Sequence, residues 1–91
     1  MATGYSLYIV RCADGTLYTG IAVDVERRVK QHNGEMRNGA RYTAARQPVR
    51  LVYRAAFPTR SAAAVEEARI KRLTRAEKQR LVDSGDPASR A

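Results

Sequence analysis

Two runs rich in aromatic and β-branched residues, Tyr5–Cys12 and Leu17–Ile21, flank a connection of only Ala13-Asp14-Gly15-Thr16. This closeness is the strongest constraint in the chain. Strands so near in sequence pair as an antiparallel hairpin, because a parallel pair needs a crossover of a dozen residues or more. Two closures fit. One is a two-residue Asp-Gly turn; the other is a three-residue loop, Ala13 to Gly15, with Gly15 left-handed in a G1 bulge. The longer loop sets Cys12 opposite Thr16, Val10 opposite Tyr18 and Tyr8 opposite Gly20, so Tyr8 and Tyr18 share a face as diagonal neighbours. The shorter turn separates them. Either closure leaves Leu7, Ile9, Leu17 and Ile21 available as an apolar set on the opposite face.

Further along, Asp24 is suited to cap a helix running to about His32, with Val25 and Val29 one turn apart and Asn33-Gly34 as its stop signal. Arg28 and His32, four apart, then border its buried stripe. Residues 34–47 lack periodicity, carry Arg37, Arg41, Tyr42 and Arg46, and read as a basic surface loop ending at Gln47-Pro48. Leu51 through Phe57 is a third strand, and Ser61 is placed to cap a second helix through about Leu73. On that helix Ala64, Glu67, Ile70 and Lys71 share a face, with Glu67 on the inward side. Thr74-Arg75-Ala76-Glu77 matches a capping box opening a third helix that ends at Ser84-Gly85. The predicted architecture is α/β in the α+β sense: a small, three-stranded, mostly antiparallel sheet flanked by helices in the order ββαβαα. Residues 1–85 are expected to form a single domain and residues 86–91 a flexible tail.

Composition narrows the function classes. With 91 residues, 44% hydrophobic and 29% charged, the chain has enough apolar content for one small core and too little length for several domains. Seventeen lysines and arginines against nine acids give a net charge of +8, which favours a polyanionic partner, nucleic acid above all. Only Lys30, Lys71 and Lys78 are lysine, and the arginine forks that supply the rest suit phosphate and base edges. A lone Cys12 and a lone His32 exclude an internal disulfide and a cysteine–histidine zinc cluster, so a catalytic metal must be oxygen-bound. No apolar run approaches the roughly 18 residues of a membrane span, which predicts a cytoplasmic chain without membrane contact.

Ser6-Leu7-Tyr8, then Tyr18-Thr19-Gly20, then Asp24, Arg28 and His32 resemble the signature of the GIY-YIG nucleases. Leu-Tyr-Thr-Gly-Ile, Asp-Val-Glu-Arg-Arg and Gln-His-Asn are similar to the small stand-alone bacterial YhbQ-like members, and the likeness continues through Phe57-Pro58 to Glu67 and Leu73-Thr74. Larger relatives attach this module to separate DNA-binding domains. The resemblance implies a metal-dependent DNA endonuclease with a role in repair or recombination. It assigns catalytic parts to Tyr8, Tyr18, Arg28, His32 and Glu67: Tyr8 takes the proton of the attacking water, Tyr18 positions water or phosphate, Arg28 holds the scissile phosphate, Glu67 holds one Mg²⁺ or Mn²⁺, and His32 supports them. Gly20 leaves room beside the tyrosines, and nucleic-acid contacts are expected at Gly20, Arg27, Arg41, Tyr42 and Arg46. This geometry requires both tyrosines on one face and therefore favours the three-residue loop. The chain departs from the family pattern at Ser6, Leu7 and Thr19, and it has no asparagine beyond Asn38, where many members carry one after the metal-binding glutamate.

The chemistry of these residues agrees with that assignment. A phenol is a weak base at neutral pH, so Tyr8 needs nearby cations to lower its pKa, and Arg28 and the metal are the sources available. In-line attack builds negative charge on phosphate oxygens that a guanidinium and a hard divalent ion stabilise. Each residue also has a plain structural reading. Tyr8 and Tyr18 suit strands, Arg28 can pair with Asp24, His32 can be a helix C-terminal cation, Glu67 can pair with Lys71, Cys12 suits a small buried site and Tyr42 can cover the core. On those readings +8 alone gives a nucleic-acid-binding module, and the small size leaves a protein partner or a homodimer open.

Overall fold

The computed structural model describes residues 4–34 and 46–84. Three strands, β1 (Tyr5–Arg11), β2 (Leu17–Ala22) and β3 (Arg50–Phe57), form an antiparallel sheet in the order β2-β1-β3. Helix α1 (Val25–His32) follows β2, and α2 (Arg60–Lys71) and α3 (Arg75–Asp83) follow β3, which gives the expected ββαβαα order. The ends of the strands lie within a residue of the sequence reading. No described helix is long and apolar enough to cross a membrane.

The hairpin closes with the three-residue loop. The Cys12 and Gly15 amides donate to the Thr16 and Cys12 carbonyls at 2.8 and 2.9 Å, and Gly15 adopts φ +85°. Only glycine takes up that left-handed conformation at little cost. Val10 therefore faces Tyr18 and Tyr8 faces Gly20. Strand β3 pairs with the other side of β1, and a register shift between Ile9 and Val10 leaves Val52 as the extra residue of a bulge.

Alternation along the central strand sorts the core into two faces. Tyr8, Val10 and Cys12 pack with Val25 and Val49 on the α1 side, while Leu7 and Ile9 meet Tyr53 and Ile70 on the α2 side. Leu7, Ile9 and Ile70 are fully buried. Each such side chain stabilises the fold by roughly 1.5–3 kcal/mol. Leu81 and Val82 of α3 pack against the second face, as their position predicts.

Two helix starts follow the sequence reading and one does not. The Asp24 carboxylate accepts from the Arg27 amide at 3.0 Å, and the Thr74–Glu77 capping box is complete at 3.2 and 2.8 Å. The second helix, however, is capped by Thr59 and not by Ser61. Thr59 is extended, and its Oγ1 accepts from the Ala62 amide at 3.1 Å, so Ser61 falls inside the first turn. Pro58 immediately precedes this cap. On α2 Ile70 is buried as expected, but its buried companion is Ala63 and not Ala64, Lys71 is exposed, and Glu67 is half-buried.

Candidate active site

The site is organised around Tyr8, whose ring lies beneath α1 and reaches across the neighbouring edge strand β2. Gly20 makes this possible. A Cβ on Gly20 would stand 2.6 Å from the Tyr8 hydroxyl and 2.7 Å from its Cζ, closer than such atoms approach. The hydroxyl forms a 2.8 Å hydrogen bond with Nε2 of His32, and both residues are 1% exposed. Tyr18, two positions from Gly20 on the same face, completes the group by meeting the His32 ring edge-on at a centroid distance of 5.2 Å.

His32 is not the solvated helix-terminal cation of the plain reading, nor does it merely border the buried face. Burial and the nearby Arg28 guanidinium lower its pKa from 6.5 to about 4, so the imidazole is neutral at physiological pH. A neutral ring presents one nitrogen as an acceptor. Tyr8 also departs from the expectation that cations lower its pKa. Burial outweighs the opposing pull of Arg28, and the charges of Tyr18 and Glu67 add to the upward shift. The phenol thus holds its proton while sitting against a neutral acceptor.

Arg28 is half-buried one turn before His32. Its Nη1 donates to Oε1 of Gln31 at 2.8 Å, which orients the guanidinium beside the tyrosine. Its influence on Tyr8 and His32 identifies it as part of the same electrostatic unit and not as a partner of Asp24 alone. Glu67 comes from α2, on the other layer, and is close enough for its charge to raise the Tyr8 pKa. Its side chain is 23% exposed and pairs with Lys71 at 3.4 Å, so the ion pair of the plain reading is present together with the proximity to Tyr8. Among the described residues no three His, Cys, Asp or Glu side chains form a metal cluster. One reachable carboxylate still fits a hard divalent ion whose remaining ligands are water and phosphate oxygens.

The sequence-predicted nucleic-acid residues separate. Gly20 lies within the cluster, Arg27 is exposed on α1, and Arg46 is bound to Asp14 of the hairpin loop at 3.0 Å. Arg41 and Tyr42 lie outside the described residues, as does the predicted tail. Two residues that the sequence reading passed over hold the site together. The Asn33 side chain accepts from the Val49 amide at 2.5 Å and donates to the Val49 carbonyl at 3.0 Å, tying the end of α1 to the start of β3. The Gln47 side chain donates from Nε2 to the His32 carbonyl at 2.9 Å. In sequence Asn33-Gly34 shows only a helix stop; the distant backbone that it grips is invisible there.

A buried tyrosine–histidine pair beside an arginine, on a three-stranded α+β sheet and within electrostatic reach of a carboxylate from the opposite helix, thus defines the candidate site. Residues 4–80 match the GIY-YIG catalytic domain, and the chain belongs to that family, which is one of nucleases. A UPF0213 protein of Haloquadratum walsbyi is 54% identical over 80 residues, covering 87% of this chain and 86% of that protein. Another from Staphylococcus saprophyticus is 47% identical and covers 87% of this chain and 94% of its own. Among solved structures, the solution NMR structure of a UPF0213 protein from Bacillus halodurans is 42% identical, with a TM-score of 0.59 over 93% of this chain and 89% of that one. A protein of known structure from E. faecalis, at 36% identity, gives a TM-score of 0.60 over 89% and 84% of the two chains.

Proposed function

We infer that the protein is a metal-dependent endonuclease that hydrolyses phosphodiester bonds of DNA. The observation that carries this reading is the buried 2.8 Å contact between the Tyr8 hydroxyl and the neutral His32 Nε2. The pairing satisfies both buried polar groups and at the same time offers a proton path between them. Tyr8 Oη takes a proton from the attacking water as its own passes to His32 Nε2. The resulting hydroxide adds to phosphorus in line with the P–O bond that breaks. Arg28 would hold the negative phosphate oxygens, and Tyr18 would orient water or phosphate. Glu67 would hold Mg²⁺ or Mn²⁺, which supplies positive charge to the phosphate when bound. Gly20 supports the chemistry by leaving the space that the Tyr8 hydroxyl occupies.

Labelled single-stranded, nicked, branched and duplex DNA incubated with Mg²⁺, Mn²⁺ or EDTA tests this directly. Cleavage by the wild type is expected to need the metal and to fall by at least about 10²-fold in Tyr8→Phe. Loss is also expected in Arg28→Ala and Glu67→Ala, with each variant still folded by circular dichroism. A preference for nicked or branched DNA supports a repair or recombination role; equal cutting of all four substrates counts against it. Salt-sensitive binding without cleavage in any metal refutes the nuclease and leaves a binding module or a subunit that requires a partner.

A further inference from the structure

Positive charge gathers where α3 begins, beside the tip of the β1–β2 hairpin. Arg75 and Lys78 stand three apart on one face of α3 and, with Thr16 and Leu17 at the start of β2, line an open cleft of about 180 Å³. Arg75 Nη2 donates to the Gly15 carbonyl at 3.3 Å, which holds its guanidinium over the hairpin end. Their surroundings leave both charges uncompensated. Among the described residues no carboxylate pairs with Arg75 or Lys78, whereas Arg46, Arg54, Arg69 and Lys71 each have an acidic partner. The nearby acids are engaged elsewhere: Asp14 with Thr16 and Arg46, and Glu77 with the Thr74 backbone.

Position gives this cleft its significance. Strand β2 is an edge of the sheet, and Tyr8 reaches over it at Gly20. From Gly20 back to Leu17 is three residues, about 10 Å along the strand. The cleft and the candidate active site thus share the β2 edge but lie on opposite faces of the sheet, Leu17 and α3 on one and Tyr8, Tyr18 and α1 on the other, so a backbone that occupies both crosses that edge. We propose that Arg75 and Lys78 form a second phosphate-binding site, which holds the sugar–phosphate backbone of the same nucleic acid a short distance along the chain from the bond presented to Tyr8. This site rests on the nuclease reading for its substrate. Two anchoring points fix the direction of the substrate as well as its position.

Binding measured without turnover tests the site. Fluorescence anisotropy of labelled single-stranded and duplex oligonucleotides in EDTA, from 50 to 200 mM salt, is compared for the wild type, Arg75→Ala/Lys78→Ala and the control Arg50→Ala/Arg60→Ala. The control removes the same charge from exposed positions on β3, at the other sheet edge, and on the first turn of α2. Loss of two phosphate contacts is expected to weaken binding about tenfold at the lowest salt and to flatten the slope of log K against log salt by roughly 1.4 to 1.8. The control should stay within about threefold of the wild type. An unchanged slope in the Arg75/Lys78 variant, or equal flattening in the control, overturns the second site while leaving the nuclease reading intact. A wild type that binds neither DNA overturns both.

Discussion

His32 is the residue on which stability and chemistry meet. The folded state keeps its imidazole neutral down to about pH 4, whereas in the unfolded chain it takes up a proton near 6.5. Between those values the unfolded state binds more protons, so stability falls as pH drops through the window. The loss is on the order of 3 kcal/mol on going from pH 7 to pH 4. Urea titrations at several pH values should show it, and His32→Gln should remove most of the slope. Cleavage is expected to persist below pH 6.5, because the imidazole that accepts from Tyr8 is still unprotonated there; a pH–rate profile falling with a midpoint near 6.5 would contradict this. Gly20 offers a second test. Gly20→Ala drives a Cβ into the Tyr8 hydroxyl, and shifting a buried ring in a packed core costs typically 1–3 kcal/mol. Thermal denaturation should register that cost, and a cleavage assay should show a loss comparable to Tyr8→Phe.

At the scale of elements, the caps make the sharpest forecast. Thr59→Ala should destabilise by about 1 kcal/mol, while Ser61→Ala should change stability by less than about 0.5 kcal/mol, in chemical denaturation. Both residues have the hydroxyl that a cap needs, and the sequence alone favoured the wrong one because the choice depends on where the chain leaves β3. The elements themselves were legible. Asp-Gly between strand-like runs, the Asp24 cap and the Thr74–Glu77 box are local signals whose partners lie a few residues away. What sequence could not show was distance between elements: the Asn33 grip on Val49, the Gln47 bond to the His32 carbonyl and the depth of burial that reverses the expected shift of the Tyr8 pKa. Asn33→Ala leaves the Val49 backbone without this partner and should cost roughly 1–3 kcal/mol. The Tyr8, Tyr18, Arg28 and Glu67 grouping was legible only through the family resemblance, because each residue taken singly has an ordinary structural use.

For the molecule as a whole, a net charge of +8 on 91 residues predicts electrostatic steering toward DNA. Association rates from stopped-flow fluorescence should fall steeply between low and physiological salt, with dissociation changing less. The residues of the candidate site come from one sheet and its flanking helices, so an error in the assembly of these elements disturbs the site directly. Consider the three-residue loop that sets Tyr8 against Gly20. Surface loops normally accept gain or loss of a residue with little penalty. Here a hairpin closed one residue short would turn β2 over, move Tyr18 and Gly20 to the wrong face, and leave a molecule of the same mass and charge that contributes no turnover. Specific activity therefore doubles as a count of molecules in correct register, and insertion scanning should find this hairpin tip far less forgiving than its exposure suggests.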